Sequence, residues 1–98
     1  MRQSKLETYV AILIVLAHWG PLKSTQIMYK ADVNHSVLND CLDFLIKQGM
    51  IEKQTIKNKP TVFAVTQHGI TVLKYFRELM QALPITEETR KQTNLLTY

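Results

Sequence analysis

Residues 34–66 carry the sequence NHSVLNDCLDFLIKQGMIEKQTIKNKPTVFAVT, and the pattern of these residues is the main evidence for the fold. Its first part has apolar residues at helical spacing, and Gly49 follows them as a helix stop. Two runs rich in β-branched residues come next, 50–56 and 61–65, separated by the turn Lys57-Asn58-Lys59-Pro60. We therefore predict a helix that leads directly into a β-hairpin.

The segment before this stretch predicts two further helices. Ser4, with Glu7 at capping-box spacing, predicts the start of a helix that runs to about Trp19. This helix is apolar on most sides, so we expect it to be buried either in the centre of the fold or against a second subunit.

The second helix is short, and a brief turn separates it from the third. Ser24 is predicted to cap the second helix, which ends at the break 32–34. Either Asn34 or Ser36 then caps the third helix. The order of helix, short turn and helix is that of a helix-turn-helix.

The segment after the hairpin predicts a fourth helix. Thr66 is its predicted cap, and the helix extends from Gln67 to about Leu83, where Pro84 ends it. The predicted fold is mainly α (α+β), a winged helix-turn-helix of order α-α-α-β-β-α with a two-stranded wing. We assign residues 1–83 to this domain and expect the polar tail, residues 84–98, to be loosely ordered.

Composition argues for one globular domain and against several other classes of protein. The 98 residues suit a single domain, and the formal charge of +4 suits a polyanionic partner. The single cysteine excludes an internal disulfide, which fits a cytoplasmic location. The apolar run 9–17 has the outline of a signal peptide, but it is too short to span a bilayer, and we favour a buried helix.

Chemistry-bearing motifs are absent from the sequence. The three histidines, His18, His35 and His68, show no metal-ligand spacing, and Cys41 lies on the apolar side of the third helix. No Gly-rich phosphate loop or activated nucleophile is recognisable. We therefore expect no enzyme activity, no cofactor, no metal and no small-molecule substrate.

Several short motifs resemble those of archaeal winged-helix DNA-binding proteins. They are KSTQIMYKA at residues 23–31, LDFLIKQGMI at residues 42–51 and VTQHG at residues 65–69, together with SKLE at residues 4–7. The resemblance covers roughly residues 4–83. It implies a DNA-binding protein, often a dimer, and a role as a transcriptional regulator. One branch of these proteins pairs through a long fourth helix, and Pro84 argues against so long a helix here.

The third helix of such a fold enters the major groove, and its first residues meet base edges. Asn39 is the best candidate for base reading because an amide can bind adenine through two hydrogen bonds. The predicted base contacts are His35, Ser36, Asn39 and Asp40. The alternative is that these side chains only cap the helix or form a solvated face.

Contacts to the DNA backbone are predicted at the wing tip and on the second helix. Exposed lysines at a hairpin tip can reach phosphates, although they can also serve only solubility. The predicted backbone contacts are Lys23, Ser24, Thr25, Gln26, Lys30, Lys57, Asn58 and Lys59.

Charge is unevenly distributed, and this leaves two alternatives open. Residues 32–49 hold three aspartates against one lysine, so the predicted recognition region is acidic and repels phosphate. That feature fits a selective DNA reader or a winged helix that docks a protein. A general architectural DNA binder is a third possibility.

Helices one and four hold more apolar side chains than one small core readily covers. A two-fold homodimer would bury the surplus and present two recognition helices to paired half-sites. The predicted interface residues are Ile12, Val15, Val72, Phe76, Leu79 and Met80.

Overall fold

The computed structural model describes residues 4–83, which form four helices and two strands. In chain order these are α1 (Lys5–Trp19), α2 (Ser24–Ala31), α3 (His35–Lys47), β1 (Ile51–Gln54), β2 (Val62–Val65) and α4 (Gln67–Ala82). The predicted order α-α-α-β-β-α is confirmed. The predicted loosely ordered tail lies outside the described residues.

Helix α1 is the central element of the core. Seven consecutive residues, Val10 to Leu16, are buried, as expected of a helix that is apolar on most sides. Ile12 is 0% exposed and Val15 9% exposed within the single chain, and Met80 of α4 is also 9% exposed. The chain's own core therefore covers these three residues, which the sequence analysis assigned to a dimer surface, and their contact with a second copy stays a prediction.

Side chains cap three of the four helices as predicted. Ser4 Oγ accepts the Glu7 N–H at 3.1 Å, Asn34 Oδ1 accepts the Val37 N–H at 2.8 Å, and Thr66 Oγ1 accepts a backbone N–H in α4. Asn34 is thus the cap of α3, and Ser36 lies inside the helix.

Helix α2 departs from the predicted capping pattern. Lys23 occupies the N-cap position and Ser24 is the first helical residue, so the prediction that Ser24 caps this helix is wrong. The Gln26 side chain instead accepts the Lys23 N–H through Oε1 at 2.9 Å. This bond satisfies a backbone donor at the start of the helix that the Ser24 side chain leaves untouched.

The wing is an antiparallel pair that is shorter than the sequence predicts. Its register pairs Ile51 with Val65 and Gln54 with Val62. Beyond these pairs the chain turns, with Asn58 in the left-handed region at φ 66°. Asparagine is among the residues that tolerate this conformation best, which places the tip of the wing at Asn58.

An isolated β-bridge joins the loop before α2 to the wing and was not predicted. Leu22, in the loop before α2, exchanges two backbone hydrogen bonds with Phe63 of β2, at 3.0 and 2.8 Å. Leu22 is also buried, so its side chain and its backbone both anchor the loop. The start of α2 is therefore fixed to the wing.

No helix among the described residues combines the length and apolarity of a transmembrane span; the longest, α4, has 16 residues.

Candidate nucleic-acid interface

Helix α3 is held by one side and presents the other to solvent. Leu38, Cys41, Leu42 and Leu45 are buried in the core. Phe44 adds a stacking contact to Tyr9 of α1, with ring centroids 4.6 Å apart and planes inclined by 16°. These contacts set the orientation of α3, because they fix both its apolar stripe and one flank.

The predicted base-contacting residues all lie on the solvent side of α3. They are His35, Ser36, Asn39 and Asp40, and each is exposed. Packing of the core requires none of these side chains. The helix can therefore offer its polar face to another molecule without a change in the core.

Two of these side chains are already joined to each other. Asn39 Nδ2 lies 3.2 Å from His35 Nδ1, one helical turn away. The bond requires an unprotonated Nδ1 that accepts from the amide. It holds the Asn39 amide along the helix, so a bidentate contact to adenine requires that this bond be exchanged for one to the base.

Carboxylates flank the polar face of α3. Asp40 and Asp43 are both exposed, on the side that is available to a partner. The pKa of the Cys41 thiol is affected by one of these carboxylates. Burial raises this pKa, since Cys41 is only 4% exposed, and the Asp40 carboxylate raises it further, while Lys5 partly opposes the rise. The acidic character predicted for this region is therefore a property of its accessible surface.

The wing tip carries the exposed cations that the sequence predicts. Lys57, Asn58 and Lys59 are all exposed, and a hydrogen bond of 3.0 Å from the Lys59 N–H to the Ile56 carbonyl closes the turn. The turn is thus defined in its backbone, while the two lysine side chains extend into solvent.

The residues predicted on α2 fall into two groups. Lys23, Thr25, Gln26 and Lys30 are exposed, whereas Ser24 is half-buried. Gln26 uses its Oε1 in the cap described above, which leaves its amide N–H groups for a partner.

Two aromatic residues beside these side chains were missed by the sequence analysis. Tyr29 is 92% exposed and Trp19 is 56% exposed. The Lys30 ammonium lies over the Trp19 ring, 3.7 Å from its centroid. The position of Tyr29 on the polar side of a short helix could have indicated its exposure. The contact between Trp19 and Lys30 could not be predicted, because Trp19 belongs to α1 and only folding brings it to Lys30.

The predicted interface residues Val72, Phe76 and Leu79 of α4 differ in how far they are exposed. Leu79 is 55% exposed, and Val72 and Phe76 are half-buried. Leu79 and Phe76 also line a cavity of about 290 Å³ between α4 and the start of α1, where Leu6 is exposed. The apolar surface available to a partner thus lies at the exposed side of α4 and the beginning of α1.

Within residues 4–83, no cluster of His, Cys, Asp and Glu side chains has the geometry of a metal site.

A family model described as winged helix-turn-helix matches residues 2–83. The chain belongs to the winged helix-turn-helix family. This assignment agrees with the helix-turn-helix of α2 and α3 and with the wing formed by β1 and β2. No curated protein sequence matches the chain.

Solved structures show that this winged helix has the MarR-like form of the fold. A MarR-family regulator from Silicibacter pomeroyi superposes with a TM-score of 0.66 at 19% identity, over 87% of this chain and 62% of the other. A probable transcriptional regulator from Pseudomonas aeruginosa gives 0.66 at 21% identity, over 91% and 73%. Lactococcus lactis ZitR, solved in complex with DNA, gives 0.63 at 18% identity, over 99% and 73%.

The winged helix described here is shorter than some of these neighbours. It spans 62% of the Silicibacter pomeroyi protein. At these identities the similarity establishes the fold of the chain.

Proposed function

We propose that this chain is a homodimeric transcriptional regulator that binds double-stranded DNA and acts by occupying promoter DNA. The observation that carries the proposal is the solvent side of α3, where His35, Ser36 and Asn39 are exposed and unused by the core. In a helix-turn-helix this face enters the major groove. We expect Asn39, supported by Ser36 and His35, to read base edges, with Asp40 accepting from a cytosine amino group.

Contacts to phosphate position such a helix in the groove. We assign this role to Lys57, Asn58 and Lys59 at the wing tip and to the exposed residues at the start of α2. The Leu22–Phe63 bridge supports the assignment because it fixes α2 and the wing in one frame. The DNA complex of the similarly folded Lactococcus lactis ZitR is a further support.

The dimer is part of the proposal, with a revised interface. Leu79 remains exposed and lies beside the half-buried Phe76 and Val72 on α4. A second copy that covers this face would bury Leu79 and Leu6 and present two α3 helices to paired half-sites. The proposed location of such a regulator is the cytoplasm, and the archaeal character suggested by the motifs is likewise a proposal.

Binding of the purified protein to a labelled random duplex of about 25 base pairs, measured by fluorescence anisotropy at several salt concentrations, tests the proposal. Affinity is expected to fall steeply with salt, because cations released from phosphate drive the binding. The double variant Lys57→Gln/Lys59→Gln is expected to reduce the slope by about 0.9 for each phosphate that the wing no longer neutralises.

The matched control is Lys74→Gln, which removes one charge from an exposed position on α4. It is expected to leave the slope unchanged. If the unaltered protein fails to bind the duplex at low salt, the DNA-binding proposal is wrong. Similar affinity for all duplexes would instead favour a general architectural binder.

The exposed Asp40 and Asp43 support a second candidate function, a winged helix that docks a basic protein surface. The double variant Asp40→Asn/Asp43→Asn distinguishes the two functions. A DNA binder is expected to gain non-specific affinity for the duplex, because two charges that repel phosphate are removed. A protein-docking module would show no binding to DNA with or without these substitutions.

A further inference from the structure

The outer face of α2 differs in charge from the face of α3. No Asp or Glu occurs between Glu7 and Asp32, and Lys23 and Lys30 are the only formally charged side chains in this stretch. Lys23 and Lys30 lie seven residues apart, which places them on one side of the helix, two turns from each other. This side is therefore the part of the helix-turn-helix that complements a polyanion.

Trp19 holds one of these cations in place. The Lys30 ammonium lies 3.7 Å from the centroid of the Trp19 ring, and both side chains are exposed. A lysine on a surface ordinarily samples many rotamers and loses that freedom when it binds. Contact with the Trp19 ring restricts the Lys30 rotamers before any ligand binds. The ammonium is exposed and keeps N–H donors for a partner.

Tyr29 stands next to this pair with little contact to its own chain. It is 92% exposed, so packing of the core does not explain a large aromatic side chain at this position. Its hydroxyl group can donate to a phosphate oxygen, as tyrosine does in many protein–DNA contacts. Gln26, one turn earlier, adds its amide N–H donors on the same side of the helix.

We infer that Tyr29 binds the DNA backbone beside the predicted contact Lys30, and that Trp19 positions the Lys30 ammonium. The first helix of a helix-turn-helix crosses the backbone beside the groove that the second helix enters, which places this surface opposite phosphate. The contact between α2 and phosphate matters more because the surface of α3 is acidic and repels phosphate. Electrostatic attraction to DNA therefore has to come from the elements around α3. The inference rests on the proposed function and extends it to Tyr29 near the end of α2 and to Trp19 at the end of α1.

The experiment uses the same anisotropy titration against the random duplex, with single variants of the three residues. Lys30→Gln is expected to lower the salt slope by about 0.9, the value for one phosphate neutralised by one cation. Tyr29→Phe removes only the hydroxyl group and is expected to weaken binding by about three- to tenfold. The control Lys74→Gln, which removes a charge from α4, is expected to change neither quantity.

A double-mutant cycle tests the positioning role of Trp19. Trp19→Leu is expected to weaken binding in the natural background and to have no further effect in the Lys30→Gln background. An equal effect in both backgrounds would show that Trp19 acts through the fold and would overturn its assignment. Thermal unfolding of each variant identifies any loss of structure.

The failures of the two proposals are distinguishable. If the natural protein binds the duplex but Lys30→Gln and Tyr29→Phe bind it with unchanged affinity and slope, the inference about α2 is wrong and the proposed function stands. If the natural protein does not bind the duplex at low salt, both are overturned.

Discussion

The Thr66 hydroxyl donates a 2.6 Å hydrogen bond to the carbonyl oxygen of Gly49, the second residue after the end of α3. The Thr66 Oγ1 atom also accepts the Gly69 N–H at 3.1 Å and so caps α4. The Thr66 N–H donates in turn to the Met50 carbonyl at 3.0 Å. One residue therefore begins α4 and ties it to the point where α3 passes into the wing.

Replacement of Thr66 by valine is expected to destabilise the fold. Valine keeps the shape of threonine but removes the hydroxyl group, so neither the cap nor the bond to Gly49 can form. The expected decrease in the free energy of unfolding is about 1–2 kcal/mol, measured by urea denaturation. Thr66→Ser, which keeps the hydroxyl group, is the control and is expected to retain most of the stability. Equal destabilisation in both variants would contradict the role given to the hydroxyl group.

Asn39→Ala is expected to change the sequence preference of DNA binding rather than its salt dependence. The amide is proposed to contact a base, and a bidentate base contact contributes about 1–3 kcal/mol of discrimination. The measurement compares the variant and the natural protein on a duplex chosen by selection and on single-base changes of it. Lys59→Gln is the matched comparison, because removal of a cation from the phosphates weakens binding to all sequences alike. A uniform decrease of affinity with Asn39→Ala would place Asn39 among the backbone contacts.

Leu79→Glu is expected to convert a dimer into a monomer. The substitution places a charge on the exposed apolar side of α4, where burial against a second copy would desolvate it. Light scattering is expected to report twice the chain mass of 11.4 kDa for the natural protein and the chain mass for the variant. Lys74→Glu, also on an exposed position of α4, serves as the control. A natural protein that is already monomeric at working concentration contradicts the proposed interface.

The Cys41 thiol is expected to react slowly while the protein is folded. Burial and the Asp40 carboxylate raise its pKa, and the thiolate is the reactive form. Iodoacetamide labelling at about pH 8 is therefore expected to be much slower in buffer than in denaturant. Comparable rates in the two conditions would contradict a buried thiol.

The raised pKa of Cys41 also makes the stability of the fold depend on pH. Because the pKa is higher in the folded chain than in the unfolded chain, the contribution of Cys41 is complete below the unfolded pKa. It is lost as the pH rises through the folded pKa. Cys41→Ala is expected to remove this part of the pH dependence in unfolding measured by urea.

Short-range signals in the sequence were sufficient to predict the helices and the two strands. Ser4 and Thr66 cap their helices as predicted, and Asn34 rather than Ser36 is the one of the two predicted candidates that caps α3. These caps were predictable because an N-cap bond joins residues only three apart. The turn around Asn58 was predictable for the same reason. The fold class and the solvent side of α3 followed from the spacing of apolar residues, which fixes the face that a helix buries.

Contacts between elements were beyond the reach of these signals. The Leu22–Phe63 bridge joins residues 41 positions apart, and no local sequence feature at either residue predicts that they pair. Ile12 was assigned to a dimer surface because an apolar side chain looks the same whether its own chain or a second one covers it. The cap of α2 was missed because Ser24 has the preferred residue type, while Gln26 makes the bond.

The amino-acid pattern alone predicts the order of helices and strands, the acidic character of the recognition region and the cations at the wing tip. Each of these features depends on residues that lie close together in the chain. The folded chain was needed to show that the middle of α1 is covered by its own chain, that Trp19 lies against Lys30, and that α2 is bound to the wing. The physical reason is that each of these arrangements depends on which faces pack together, and packing is decided by the whole core rather than by any one segment.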